Sequence, residues 1–163
     1  MRQIINHTKN EILSPATGRI IKIQRNMEDL HIAIFLSLID DHTQYAPDNG
    51  IVSSTIWKKG EFNIASIFKK SNFNERQDTM ISTKNGVITV RQIAGVIART
   101  IVSFVKTGQE VKQKQPIGKI MLGSRVDLYV PFVNSIFNEN FKEGDRVVGG
   151  KSILAYWYSE QKK

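Results

Sequence analysis

The sequence contains no cysteine, and only four prolines and three histidines stand among its 163 residues. Without cysteine the chain has no disulfide, no thiolate metal site and no cysteine nucleophile. His7, His31 and His42 are too widely spread to predict a metal site. Any reactive centre must therefore use a different nucleophile.

Long apolar runs and acidic residues are also scarce. The longest apolar stretch, residues 32–39, is far below the ~20 residues that span a bilayer, and the first residues show no signal-peptide core. Lys and Arg number 23 against 15 Asp and Glu, a formal charge of +8 that favours anionic partners. The basic residues are scattered and accompany no nucleic-acid module, so we expect no nucleic-acid partner. Membrane contact is expected to be peripheral, on the cytoplasmic side.

Short β-prone runs separated by turn residues make up most of the chain, which predicts a mainly β protein. Asn85-Gly86 lies between two such runs and predicts a hairpin with a type I′ turn. In the run Arg125–Val130 apolar residues alternate with polar ones, which predicts a strand with one apolar face and one wet or functional face. Helix is scarce, and residues 63–71 could form two turns.

A weak internal repeat relates residues 106–120 to residues 142–156 at an offset of 36. Gly108 matches Gly144 at this offset, and Val111 matches Val147. Each copy reads as a glycine turn, a buried valine, a second turn and an apolar strand. This is the pattern of the interlocked lipoyl- and biotinyl-type hairpins of barrel-sandwich hybrids. We therefore predict a compact β sandwich in the second half of the chain.

Gly123-Ser124 is the segment of the chain that is best suited to covalent chemistry. A glycine before a serine leaves its carbonyl carbon open to the serine hydroxyl, because glycine has no side chain and accepts strained backbone angles. Attack would shift the acyl group from nitrogen to oxygen, and elimination across the serine would then cut the chain and leave a pyruvoyl group. Since Gly-Ser is common in turns, the dipeptide alone predicts little.

The surrounding segments resemble the phosphatidylserine decarboxylase family in the same order along the chain. The matching segments are Ser14-Pro15-Ala16-Thr17-Gly18, Phe35-Leu36-Ser37 with Asp41-His42 and Ala46-Pro47, Asn74-Glu75-Arg76, Gln92-Ile93-Ala94-Gly95 with Ala98-Arg99, and Gly123-Ser124-Arg125-Val126-Asp127-Leu128-Tyr129-Val130-Pro131. The last of these looks like the cleavage segment of the short members of the family.

The resemblance implies one domain over residues 1–163 that cleaves itself. The products are a large chain, residues 1–123, and a small chain, residues 124–163, which remain associated. It implies a covalent pyruvoyl cofactor made from Ser124, and decarboxylation of phosphatidylserine to phosphatidylethanolamine and carbon dioxide. The implied partners are an anionic serine phospholipid, the membrane surface and a homo-oligomer of undefined size.

His42 lies in the family's histidine turn, and the resemblance makes it the candidate acid or base, since imidazole titrates near neutral pH. The alternative is a histidine in a surface loop. The chain departs from the family at Thr17, where the family has an acidic residue expected to orient the histidine. Asp40, Asp41 or Asp48 could replace that carboxylate, and otherwise maturation would be slow or absent.

Other side chains have both a functional and a structural interpretation. His31 is expected to be a strand histidine with a hydrogen-bond partner, whereas Arg76, Arg99 and Arg125 could bind a phosphate or carboxylate or form surface ion pairs. A further set could form an acyl-facing patch, although core packing is the preferred interpretation: Trp57, Phe62, Phe68, Phe73 and Trp157.

Two other functions remain open at this point. The same chemistry would serve a decarboxylase of a free amino acid. A non-catalytic β-sandwich module, unprocessed or of the lipoyl and biotinyl carrier type, would also fit the repeat, but the chain has no lysine in a carrier-like triplet.

Overall fold

The computed structural model describes residues 10–37, 39–96, 100–120 and 123–158. Fourteen strands, one short α-helix and one 3-10 turn (Phe132–Asn134) lie in these ranges: β1 (Glu11–Leu13), β2 (Gly18–Arg25), β3 (Asp29–Leu36), β4 (Thr43–Tyr45), β5 (Gly50–Lys58), α1 (Phe68–Ser71), β6 (Arg76–Thr83), β7 (Gly86–Ile93), β8 (Ile101–Ser103), β9 (Glu110–Val111), β10 (Pro116–Ile120), β11 (Ser124–Pro131), β12 (Ser135–Phe137), β13 (Arg146–Val147) and β14 (Ile153–Trp157). The prediction of a mainly β protein is confirmed.

One eight-stranded antiparallel sheet dominates the fold, in the order β13-β2-β3-β11-β7-β6-β5-β9. It curls into a half-barrel, as expected for the predicted β sandwich. Two three-stranded sheets, β1-β14-β12 and β4-β10-β8, complete the structure. The apolar core lies between these layers and includes Leu36, Val126 and Trp157.

The internal repeat is a structural repeat. Gly108 and Gly144 have φ values of +91° and +96°, and both donate their N–H groups to strands from the first part of the chain. Lys114 and Gly150, also 36 residues apart, have φ values of +75° and +70°. The predicted sandwich is not confined to the second half, however, because β9 pairs with β5 and β13 pairs with β2.

The predicted hairpin is confirmed as β6 and β7, but its type I′ turn is wrong. Thr83 pairs with Gly86, so Lys84 and Asn85 are the central residues of the turn. Among the described non-glycine residues only Lys114 has a positive φ, so Asn85 does not adopt the conformation that type I′ requires. The Thr83 hydroxyl accepts the N–H groups of Asn85 and Gly86 at 3.1 Å each and organises the turn instead.

The predicted helix over residues 63–71 shrinks to the single turn of α1. The backbone of Asn63 is hydrogen-bonded to the side chain of Asn74, which accepts its N–H at 2.8 Å and donates to its carbonyl at 2.9 Å. These bonds hold Asn63 outside a helix. Ile67, at the N-cap, provides no side-chain acceptor for the first turn.

The two faces of β11 are both buried. Val126, Leu128 and Val130 point into the core as predicted. The opposite face was predicted to be wet or functional; Arg125 and Asp127 are fully buried there, so the wet alternative is wrong for them. The helix α1 lies over this face, since Arg125 donates to the Phe68 carbonyl at 3.0 Å.

Asp127 stands at the centre of a charged cluster on that face. Arg125 donates to its carboxylate through Nε at 2.7 Å, and His31 Nε2 lies 2.7 Å from the other carboxylate oxygen. Complete burial opposes ionisation, but these two partners outweigh it and lower the pKa of Asp127 below its ordinary value. His31 therefore has the hydrogen-bond partner that was predicted for it.

Asp127→Asn should destabilise the fold by about 3–5 kcal/mol, because it leaves the Arg125 charge buried without its counter-ion. Since the pKa of Asp127 is lower in the folded state, its contribution is present above the unfolded pKa of about 3.9 and is lost as pH falls through the folded value. Urea unfolding of both proteins from pH 7 to pH 3 measures this. Equal stability at pH 7, or a gap that widens in acid, would contradict the assignment.

Candidate active site

Ser124 is the first residue of β11 and occupies its core-facing side. Its side chain is fully buried, and its Oγ is the one buried side-chain polar atom without a hydrogen-bond partner in the described part of the chain. Leaving such a group unsatisfied costs about 1–3 kcal/mol, so its presence calls for an explanation. The serine is buried beside the backbone carbonyl that precedes it, with no bond that holds its hydroxyl elsewhere.

Gly123 supplies that carbonyl and enters β11 with a φ of +72°. A Cβ at this position would meet nothing within 4 Å, so glycine is required by conformation and not by space. The Gly123 N–H donates to the Leu36 carbonyl at 2.9 Å, which anchors Gly123 to the end of β3.

Gly95 lies directly against the Gly123 carbonyl. A Cβ built on Gly95 would be 1.9 Å from the Gly123 oxygen and 3.0 Å from its carbonyl carbon. Only glycine allows this approach of two backbones. Sequence reasoning gave no role to Gly95, although the residue belongs to one of the segments that resemble the family.

His42 is half-buried and lies just before β4. Its carbonyl accepts the Ile120 N–H at 3.1 Å, so its turn is bonded to the end of β10, four residues before Ser124. Gln44 Nε2 also donates to this carbonyl at 2.8 Å, and Gln44 Oε1 accepts from Gln92 Nε2 at 2.8 Å. Gln92 pairs with Val126 of β11. A buried amide pair thus connects the histidine turn to the strand that Ser124 begins.

Thr17 lies near β4, the strand that follows His42. Two residues before Thr17, the Pro15 carbonyl accepts the Tyr45 N–H of β4 at 2.8 Å. The Thr17 hydroxyl accepts the Gly149 N–H at 2.9 Å and thereby ties the second repeat to the first strands. Its hydrogen bond is therefore structural.

The three aspartates near this turn have different environments. Asp40 is held by Ser37 and Arg146, which outweigh the effect of burial and lower its pKa. Asp48 accepts the Trp157 indole N–H at 2.8 Å, and burial raises its pKa. Neither carboxylate is oriented toward the histidine turn by its partners.

Asp41 directly precedes His42 and interacts with it electrostatically. Burial opposes its ionisation, but hydrogen bonds from the Tyr45 hydroxyl at 2.5 Å and the Thr43 N–H at 3.0 Å, together with His42, lower the pKa of Asp41. Asp41 is therefore a carboxylate that remains ionised at neutral pH beside the imidazole.

The arginine and aromatic residues that were candidates for substrate binding lie in different environments. Arg125 is neither a surface ion pair nor free for substrate, because Asp127 occupies it. Arg76 lines a cleft of about 330 Å³ with His31 and Tyr129. Trp157 is a core residue, which agrees with the preferred interpretation of core packing. Trp57 and Phe73 are exposed, so the preferred interpretation of core packing is wrong for these two. The other positions are as follows: Arg99 and His7 lie outside the described residues, Phe68 is half-buried over Arg125, and Phe62 is half-buried.

Comparison with known proteins assigns the family. The model of the family described as phosphatidylserine decarboxylase matches residues 1–155. A phosphatidylserine decarboxylase proenzyme of Amoebophilus asiaticus is 35% identical over 99% of this chain and 74% of its own length, and one of Ehrlichia chaffeensis is 40% identical over 89% and 67%. A Methanosarcina mazei protein, provisionally named an archaetidylserine decarboxylase proenzyme, is 40% identical over 88% and 65%.

The chain belongs to the phosphatidylserine decarboxylase family, which is a family of carboxy-lyases. The resemblance found in the sequence is thereby confirmed. The chain spans from just under two thirds to about three quarters of the length of these relatives. No helix in the described ranges has the length and apolar character needed to cross a membrane.

Gly95→Ala should slow cleavage of the chain at least tenfold, because its methyl group would displace the Gly123 carbonyl. Gly108→Ala is the control, since its new methyl group meets nothing within 4 Å and its positive φ costs about 1–2 kcal/mol of stability far from Gly123. The fraction of uncut chain on a denaturing gel measures the effect. Parent-like cleavage of the Gly95 variant would show that this contact is unimportant.

Proposed function

We propose that this chain is a proenzyme that cuts itself between Gly123 and Ser124 and acts as a pyruvoyl-dependent decarboxylase of a serine phospholipid. The unpartnered, buried Oγ of Ser124 is the observation that carries the proposal. A buried hydroxyl that has no hydrogen-bond partner remains available to attack the adjacent Gly123 carbonyl.

Maturation would proceed entirely on residues of this chain. The Ser124 Oγ bonds to the Gly123 carbonyl carbon, and the C–N bond breaks, which leaves an ester and a free Ser124 amine. Loss of the Ser124 α-proton then expels the Gly123 carboxylate as the Cβ–O bond breaks. Water replaces the remaining nitrogen, which departs as ammonia, and residue 124 becomes a pyruvoyl group.

The fold supports retention of both chains after the cut. β11 lies between β3 and β7 in the large sheet, so the small chain would remain hydrogen-bonded on both sides. β14 also pairs with β1 of the large chain. The cut would therefore sever one peptide bond without opening a sheet.

Two features of the site support a pyruvoyl cofactor. The open space beside Gly123 and the buried start of β11 would hold a small ketone away from bulk water. When present, the pyruvoyl group supplies an electrophilic carbonyl and an acceptor for the electron pair released as carbon dioxide leaves. Residue 124 would hold it by the amide bond to Arg125, whose side chain is anchored by Asp127.

His42 is the proposed acid and base, with Asp41 as its partner in place of the family's acidic residue at position 17. Asp41 directly precedes His42, and the Coulombic interaction between the two contributes to the lowered pKa of Asp41. His42 can then accept the Ser124 hydroxyl proton during maturation and deliver a proton to the product during turnover.

The lipid substrate follows from the relatives, whose names give two serine phospholipids with different hydrophobic parts. Their shared chemistry is a phosphoserine headgroup, and that is the substrate class proposed here. The formal charge of +8 favours such an anionic substrate and the surface that carries it.

Ser124→Ala should abolish both cleavage and release of carbon dioxide from phosphatidylserine vesicles. Ser135→Ala is the matched control, since it removes another buried serine whose hydroxyl already donates to the Pro131 carbonyl. Gel analysis and carbon dioxide release measure the two effects. Turnover by the Ser124 variant would exclude the proposed cofactor, and release from free serine but not from vesicles would exclude the lipid substrate.

Thr17→Asp should speed maturation, because it restores an acidic group beside β4, and Asp41→Asn should slow it about tenfold or more. The double variant tests whether the two carboxylates are interchangeable, in which case Thr17→Asp rescues Asp41→Asn. The rate of cleavage after synthesis measures this. Normal maturation of Asp41→Asn alone would remove Asp41 from the proposal.

A further inference from the structure

Residues 56–73 comprise the end of β5 and the segment that leads toward β6, and they form an exposed lobe that combines apolar side chains with lysines. The exposed apolar residues are Ile56, Trp57, Ile64, Ile67 and Phe73, and the exposed lysines are Lys58, Lys59, Lys69 and Lys70. Phe73 is 69% exposed and Trp57 is 56% exposed. A single acidic residue, Glu61, accompanies the four lysines in this stretch.

The lobe is closed at its base by the ends of β5 and β6. Lys58 pairs with Arg76 at the ends of β5 and β6, and Glu61 bridges to Asn74. The Asn63 N–H donates to the Asn74 side chain at 2.8 Å and closes the loop a second time. Residues 59–73 are thereby gathered beyond this closure, next to Ile56 and Trp57 at the end of β5.

The inner side of the same lobe contacts the candidate active site. Ala65 is buried and lies 3.4 Å from the position of a Gly95 Cβ, next to the Gly123 carbonyl. The Asn74 side chain donates to the Ala94 carbonyl at 2.7 Å. Arg125 donates to the Phe68 carbonyl at 3.0 Å and to the Ser71 hydroxyl at 2.7 Å.

The amino-acid composition of the exposed side of the lobe indicates the class of partner that it binds. Protein interfaces are depleted in lysine, whereas a surface of aromatic and aliphatic side chains bordered by lysines suits the boundary between lipid headgroups and acyl chains. Each lysine near an anionic bilayer adds electrostatic attraction to it. The four lysines complement a negative membrane surface.

We propose that the 56–73 lobe is the membrane-docking element of this protein and that its partner is an anionic phospholipid bilayer. The lobe inserts its exposed apolar side chains and places the start of β11 close to the lipid surface. The inference deepens the proposed function, since docking there would bring a lipid headgroup to Ser124.

Tryptophan fluorescence tests the proposal directly. The chain has two tryptophans, of which Trp57 is exposed in the lobe and Trp157 is 1% exposed in the core. Vesicles of phosphatidylcholine with phosphatidylglycerol should shift the emission to the blue, and brominated acyl chains should quench it. Trp57→Phe should remove both changes while vesicle binding persists. An unchanged spectrum in the presence of bound vesicles would overturn the proposal.

Vesicle flotation with matched variants separates the lobe from the rest of the basic surface. Lys69→Gln with Lys70→Gln should weaken binding roughly tenfold or more, and Phe73→Ser should weaken it further. Lys142→Gln with Lys151→Gln and Val133→Ser are the controls, since these residues are exposed elsewhere. Equal loss in both sets, or a lobe variant that changes oligomeric state instead of vesicle binding, would contradict a lipid partner.

The vesicles contain no serine lipid, so the result does not depend on decarboxylation. The lobe variants should also retain cleavage and turn over a short-chain substrate below its micellar concentration at the parent rate. Failure of turnover with normal vesicle binding would count against the proposed function alone. Loss of vesicle binding only in the controls would count against the lobe alone.

Discussion

The pairing of β11 with β3 on one side and β7 on the other fixes the geometry at residue 124. Ser124 lies opposite Leu36, and Arg125 lies opposite both Phe35 and Ile93, so the start of the strand has no freedom to slide. A shift of one residue would exchange the two faces and place Arg125 in the apolar core. This register places the Ser124 hydroxyl in a dry environment and keeps the preceding carbonyl against Gly95.

The charged cluster on the opposite face reinforces that register. Asp127 holds Arg125, and Arg125 in turn binds the lobe through Phe68 and Ser71. Tyr129 stacks on His31 with ring centroids 4.2 Å apart and extends the cluster along the strand. The same strand therefore carries Ser124 on one face and the Arg125–Asp127 pair on the other, while the lobe connects that pair to the exposed surface.

Several features could be predicted from the sequence because they depend on local chemistry. The 36-residue repeat has glycines where the backbone needs a positive φ, and the apolar residues of β11 alternate with the period of a strand. The hairpin of β6 and β7 was predicted, but Thr83 sets the turn one residue earlier than Asn85-Gly86 suggests. Side-chain hydrogen bonds to a turn are not visible in a glycine pattern.

Other features depend on tertiary contacts that no local pattern reveals. Arg125 and Asp127 look like residues of a wet face until α1 covers them, and Gly95 looks like any loop glycine until Gly123 is placed against it. Asp41 is distinguished from Asp40 and Asp48 only by the partners of each carboxylate. The resemblance of ordered segments indicated the family, whereas the roles of these residues required the fold.

Intact mass of the purified protein tests the central claim most directly. Two chains should be found, ending at Gly123 and beginning at residue 124, with the smaller lighter than a serine-terminated peptide because its amine has been lost as ammonia. Its N-terminus should react with a carbonyl reagent. One uncut chain, or a smaller chain with a free serine amine, would contradict the account.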